Sequence, residues 1–217
     1  MRSDFKRLIN RLQYFLPHEI LDCFLKLSFI LLFMDKDVKF INLLFHLFAE
    51  KLREECLTSK NDERLLASEG ENSRSQLSVY EEASEHPDGF LLKNFHQKTL
   101  HLLAIDHCFF SDSDPQRCDC LIFDDQFLCF VEFKLEVKPR KATDRLKEAR
   151  DQLGSTIEFF KSEIEPFSES FFDFKLEAYV VMKEHVYPKQ RASRESVFVK
   201  FLEKYGVALF ESCQKTF

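Results

Sequence analysis

An α/β (α+β) fold, a mixed central sheet flanked by helices, is predicted by three features of the 217-residue chain. First, Leu121 to Phe123 and Phe127 to Val131 are short runs rich in aromatic, β-branched and Cys residues. The turn-compatible Asp124, Asp125 and Gln126 separate them, which predicts an antiparallel hairpin. Second, Thr143 to Glu163 places Leu146, Leu153, Ile157, Phe160 and the adjoining Ile164 on one stripe, the period of an amphipathic helix. Third, a strand pattern over Leu176 to Met182 is followed by a helix over Ser193 to Lys204 with Gly206 as its C-cap, then a strand from Val207 to Phe210. Strand, hairpin, helix, strand, helix, strand is the order of a sheet covered by helices.

The hairpin sets a register. With a loop at Asp125-Gln126, or a four-residue loop from Asp124 to Phe127, Phe123 pairs with Leu128, and Asp119 falls opposite Glu132. One face then carries Asp119, Leu121, Phe123, Leu128, Phe130, Glu132 and Lys134. The other carries Cys118, Cys120, Ile122, Cys129, Val131 and Phe133. Both faces are apolar along their middle, so the hairpin is expected to be covered on both sides.

Two carboxylates facing each other with Cβ atoms roughly 5 Å apart repel, and a positive group is expected between them. Magnesium or manganese, held by one or two carboxylates and water, fits that requirement. Lys134, two residues beyond Glu132, lies on the same face. Two acids and a lysine at the end of a buried strand pair suit metal-assisted attack on a phosphodiester. The bland alternative is an ion pair at a strand end.

Asp119 followed after a dozen residues by Glu132-Phe133-Lys134 resembles the PD-(D/E)xK, or restriction-endonuclease-like, nuclease superfamily. Cys118 stands where the motif's proline would be. The resemblance spans roughly residues 90 to 212 and implies a restriction-endonuclease-like core. It implies Asp119, Glu132 and the Phe133 carbonyl as metal ligands and Lys134 as the catalytic lysine. In the branch that resembles bacterial recombination exonucleases, the helix after this motif carries a Gln and often a Tyr four residues later. Gln152 matches the first, and Thr156 departs from the second. Many relatives take a further acid from a helix before the sheet, for which Glu54, Glu55, Glu81 and Glu82 are the candidates.

The net charge of −6 argues against a general nucleic-acid coat protein. From Lys134 to Arg150, however, seven Lys or Arg stand against three acids, with Lys141 and Arg145 the expected phosphate contacts. Seven scattered Cys lack a dense, even disulfide pattern, so a reducing cytoplasm is the expected compartment. Cys118, Cys120 and Cys129 share a face with Ile122 and Val131, as small buried apolar side chains do.

Residues 1–56 are read as a Phe-rich helical hairpin, residues 57–89 as a polar linker with a short helix near Leu77 to Glu85, and residues 90–217 as the nuclease-like domain. A further strand is expected within Lys98 to Phe110, with Asp106 and His107 near its end. The apolar run Leu27 to Met34 falls far short of the ~20 residues a bilayer needs, so no membrane span is expected. Two functions follow. The first is a Mg²⁺-dependent nuclease acting on nucleic acid, DNA being the expected substrate. The second is a catalytically silent nuclease-like module that docks a protein partner, or a second copy, through its N-terminal helices.

Overall fold

The computed structural model describes residues 36–48, 53–70, 74–81, 88–106, 108–109, 117–164, 174–187 and 192–217. The first half of the expected N-terminal hairpin, Cys23, Glu82 and His107 lie outside them. Among the described residues ten strands form two sheets: β1 (Leu57–Lys60), β2 (Arg64–Glu69), β3 (Ser75–Val79), β4 (Phe90–Lys93), β5 (Leu100–Ala104), β6 (Cys120–Phe123), β7 (Phe127–Phe133), β8 (Lys175–Val181), β9 (Ala208–Glu211) and β10 (Gln214–Thr216). The same residues include three α-helices, α1 (Lys36–Leu47), α2 (Ala142–Ile164) and α3 (Ala192–Tyr205). The architecture is mixed α+β.

The larger sheet runs β1-β5-β6-β7-β8-β9. Its β1, β5, β6 and β7 are antiparallel neighbours, whereas β8 and β9 join in parallel. The two parallel joints are those bridged by α2 and α3, since a parallel neighbour requires a long crossover. In the hairpin Phe123 pairs with Leu128, Ile122 with Cys129, Leu121 with Phe130 and Cys120 with Val131. That is the register expected from the loop length. Side-chain alternation therefore puts Glu132 and Phe130 on one face and Val131 and Cys129 on the other.

Both faces are covered, each by a different layer. On the Phe130 side, Phe160 of α2 meets Phe130 edge-on at 6.2 Å, and Phe40 of α1 meets Phe123 at 5.1 Å. On the other side lies a second sheet, β10-β4-β2-β3, antiparallel except for the parallel pair of β10 and β4. Phe90 of β4 packs on Tyr179 of β8 at 4.8 Å, and Lys215 of β10 donates to Glu177 of β8 at 2.6 Å. Lys215 also lies 3.9 Å over the Phe127 ring, a cation–π contact that offsets part of the cost of burying the ammonium.

This second sheet corrects the reading of residues 57–89. The stretch contributes β1, β2 and β3, and the short helix expected near Leu77 is strand β3. Leu65, Ala67 and Leu77 are fully or nearly buried while their neighbours Arg64, Leu66, Ser68, Gln76 and Ser78 are more exposed, so burial alternates inside a stretch of low average hydrophobicity.

Cys56 and Cys108 form a disulfide that joins the start of β1 to the turn after β5. The scattered cysteine spacing did not predict this pairing, and a stable disulfide is not what a reducing cytosol maintains. Cys118, Cys120, Cys129 and Cys213 are free and buried. Burial pushes the thiols of Cys118, Cys120 and Cys129 well up, so they pack as neutral side chains. No helix among the described residues is long and apolar enough to cross a membrane.

Candidate active site

Asp119 stands one residue before β6, and Glu132 is the penultimate residue of β7. The backbone ties them together. The Asp119 N–H donates to the Val131 carbonyl at 3.1 Å, and its side-chain Oδ2 accepts the Phe133 N–H at 2.5 Å. Asp119 is thus fixed across the hairpin with a carboxylate oxygen at the end of β7. Ser75 Oγ, from the second sheet, donates to the Asp119 carbonyl at 3.3 Å.

Glu132 is only 1% exposed, and its surroundings are asymmetric. Lys134 Nζ approaches Oε1 at 2.5 Å, whereas the buried Oε2 has no hydrogen-bond donor among the described residues. Burial, then the neighbouring Asp119 charge, pushes the Glu132 carboxyl well above its usual range, with Lys134 opposing the shift. Burial also pushes Asp119 up, to about 6. Glu69 adds to the rise, and the Phe133 N–H and Lys134 restrain it. Two carboxyl groups that both resist ionisation side by side form a site short of positive charge.

Lys134 is held by three groups. It is 2.5 Å from Glu132 Oε1, 2.9 Å from Gln152 Oε1 and 3.8 Å from Glu148 Oε1. Burial alone would lower its pKa, but Glu132, then Asp119 and Glu148, raise it beyond its ordinary value. The ammonium therefore stays protonated at neutral pH.

Helix α2 frames this end of the sheet. Gln152 bridges by accepting from Lys134 and donating Nε2–H to the Arg117 carbonyl at 3.2 Å. One turn on, Thr156 Oγ1 accepts the Cys118 N–H at 2.8 Å and donates to the Gln152 carbonyl at 3.0 Å. Thr156, where the resemblance led us to look for Tyr, anchors the chain that enters β6. The stripe beside the helix's apolar face thus meets the strand ends through polar contacts.

Other predicted residues fall differently. Arg145 is engaged by Glu148 and reaches Lys134 only through that shared acid, while Lys141 is exposed at the start of the helix. Glu55 pairs with Arg53 and Arg74 on the surface, Glu81 is exposed, and the Glu54 side chain lies outside the described residues. Glu69, at the end of β2, is the acid whose charge Asp119 feels, and sequence reading missed it by treating its surroundings as a linker.

Two carboxylates, one with a buried unpartnered oxygen, suit a hard cation that retains water. Among the described residues no group of three or more His, Cys, Asp or Glu is placed to hold a metal ion, so a cation here would rest on these two carboxylates and water. No family model, curated protein or solved structure matches the chain.

Proposed function

We propose that the protein is a Mg²⁺-dependent nuclease with a restriction-endonuclease-like core, hydrolysing phosphodiester bonds in nucleic acid, DNA being the favoured substrate. The observation that carries this reading is the buried Glu132, its Oε2 without a donor and its neighbour Asp119 also acidic. A fold does not bury two adjacent carboxylates cheaply, because each loses hydration and repels the other. Functional sites are where such arrangements persist.

Asp119 and Glu132, with the Phe133 carbonyl, would hold the cation, which when bound supplies charge stabilisation and a more acidic water. The residues around it divide the remaining work. Asp119 is kept in place by the Phe133 N–H, with its carboxyl beside that of Glu132. Lys134, protonated and oriented by Gln152, supplies positive charge for the oxygens that gain charge as the phosphorus–oxygen bond breaks. Its raised pKa makes it a charge donor in this state rather than the base that takes the water's proton. Lys141 and Arg145 extend positive charge from the site along the start of α2.

The test is cleavage of double- and single-stranded DNA and of RNA by purified protein with Mg²⁺ or Mn²⁺. Cleavage that requires the metal and disappears in Asp119→Ala and Lys134→Ala, with folding checked by circular dichroism, supports the proposal. Undiminished cleavage in either folded variant removes it, as does failure of the wild type to bind Mg²⁺ in calorimetry. The latter result would favour the partner-docking module.

A further inference from the structure

We infer that the turn leading into α2 is a seat for a single phosphate group, separate from the Asp119–Glu132 site and lined by Lys138, Arg140 and Lys141. The inference rests on the nuclease reading for its biological use, but its physical content is independent of it. Glu136, Val137, Lys138, Arg140, Lys141 and Arg145 line a pocket of about 210 Å³. Four cations against one acid make it an anion site.

The turn's own groups narrow the ligand. The 3₁₀ turn Pro139–Lys141 runs directly into α2. Pro139 has no N–H, and the Lys141 and Ala142 N–H groups donate to the Lys138 and Pro139 carbonyls, so the side chains supply the positive charge of the lining. Arg145 is already engaged by Glu148, whereas no carboxylate among the described residues pairs with Lys138, Arg140 or Lys141. Those three exposed cations have uncommitted charge.

The size selects a small anion. Pockets for drug-sized ligands run to ~300–1,000 Å³, so this one suits a phosphate group with its ester oxygens or a few waters rather than a whole nucleotide. Arg140 offers the planar fork that phosphate oxygens accept, and the two lysines act as point charges. The pocket connects to the candidate active site through Arg145, Glu148 and Lys134. A strand phosphate seated here would set the distance from a fixed point on the strand to Lys134. The same chemistry would be met by a terminal phosphate monoester or by an internal phosphodiester.

Titration of inorganic phosphate into the full chain, without divalent metal, tests the seat directly. Wild type should bind, and the Arg140→Ala/Lys141→Ala double variant, altered only at exposed positions, should bind about tenfold or more weakly, as expected for lost charge-assisted contacts. Lys134→Ala should bind phosphate as wild type does. Absence of binding in wild type, or equal binding in the double variant, overturns the seat. So does loss in Lys134→Ala alone, because the phosphate would then occupy the carboxylate site. Competition by 5′-phosphorylated against 5′-hydroxyl oligonucleotides separates the sources: displacement by the phosphorylated form alone marks a terminal phosphate, and displacement by both an internal one. If wild type cleaves no nucleic acid yet binds phosphate as described, the nuclease reading fails and the seat stands.

Discussion

The Asp119 carboxylate accepts the Phe133 backbone N–H at 2.5 Å, across 14 residues of chain and from the opposite strand. This contact turns a sequence interval into a site. It holds Asp119 beside Glu132 even though β6 begins one residue later, at Cys120. A carboxylate that accepts a backbone N–H is favoured in its charged form, yet here burial outweighs the bond and the Asp119 pKa rises to about 6.

Asp119→Asn should stabilise the metal-free protein near neutral pH while abolishing metal-dependent cleavage. The sign follows from linkage. A carboxyl whose folded pKa is raised, from 3.8 to about 6, favours folding most at low pH, and that contribution is lost as pH rises through about 6. The melting-temperature gap between variant and wild type should therefore be small at pH 4, widen toward pH 6 and level off above pH 7. Scanning calorimetry across that range checks it, at about 2–4 °C per kcal/mol for a chain of this size. Added Mg²⁺ should raise the wild-type midpoint and leave the variant nearly unmoved.

Gln152→Ala removes both the acceptor for Lys134 and the donor to the Arg117 carbonyl. The expected cost is about 1–3 kcal/mol in urea unfolding, as for hydrogen bonds that include a charged partner. Because Lys134 loses its orientation, kcat should fall about 10–100-fold, the range seen for second-layer positioning groups. KM should change much less.

Gly154→Ala tests how α2 and α3 fit together. A Cβ at residue 154 would collide with the Tyr205 hydroxyl and ring, so the substitution should destabilise the protein by about 1–3 kcal/mol. Tyr205→Ala in the same chain should recover part of that loss. A double-mutant cycle measured by chemical denaturation reports the coupling.

Replacing Cys56 and Cys108 together by Ala should lower stability by about 2–4 kcal/mol, because the bridge closes a loop between residues 52 apart. Wild type treated with a reductant should fall to the level of the variant. Equal stability with and without reductant, measured by urea titration, would show that the bridge contributes nothing.

Short-range chemistry made much of the larger sheet legible. Two apolar runs around Asp124 to Gln126 specify the hairpin and its register, because strand alternation leaves only one pairing that keeps Phe123 opposite Leu128. The 3.6-residue stripe of α2 and the cap at Gly206, with its φ of +66°, are likewise local properties. From these alone Asp119 and Glu132 come to one end of the hairpin.

What the chain in one dimension does not carry is the layer laid over that sheet. β2 and β3 are short, half polar and stable only when paired with each other and with β4, so their average hydrophobicity resembles a linker. Their packing brings Ser75 to the Asp119 backbone and the Glu69 charge toward its carboxyl. Likewise, Gln152 is only a polar residue beside a helix stripe until α2 docks and sets its amide between Lys134 and Arg117. Burial and the meeting of distant charges are many-body outcomes of packing. They decide that Glu132 keeps an oxygen without a donor, and no local pattern contains that information.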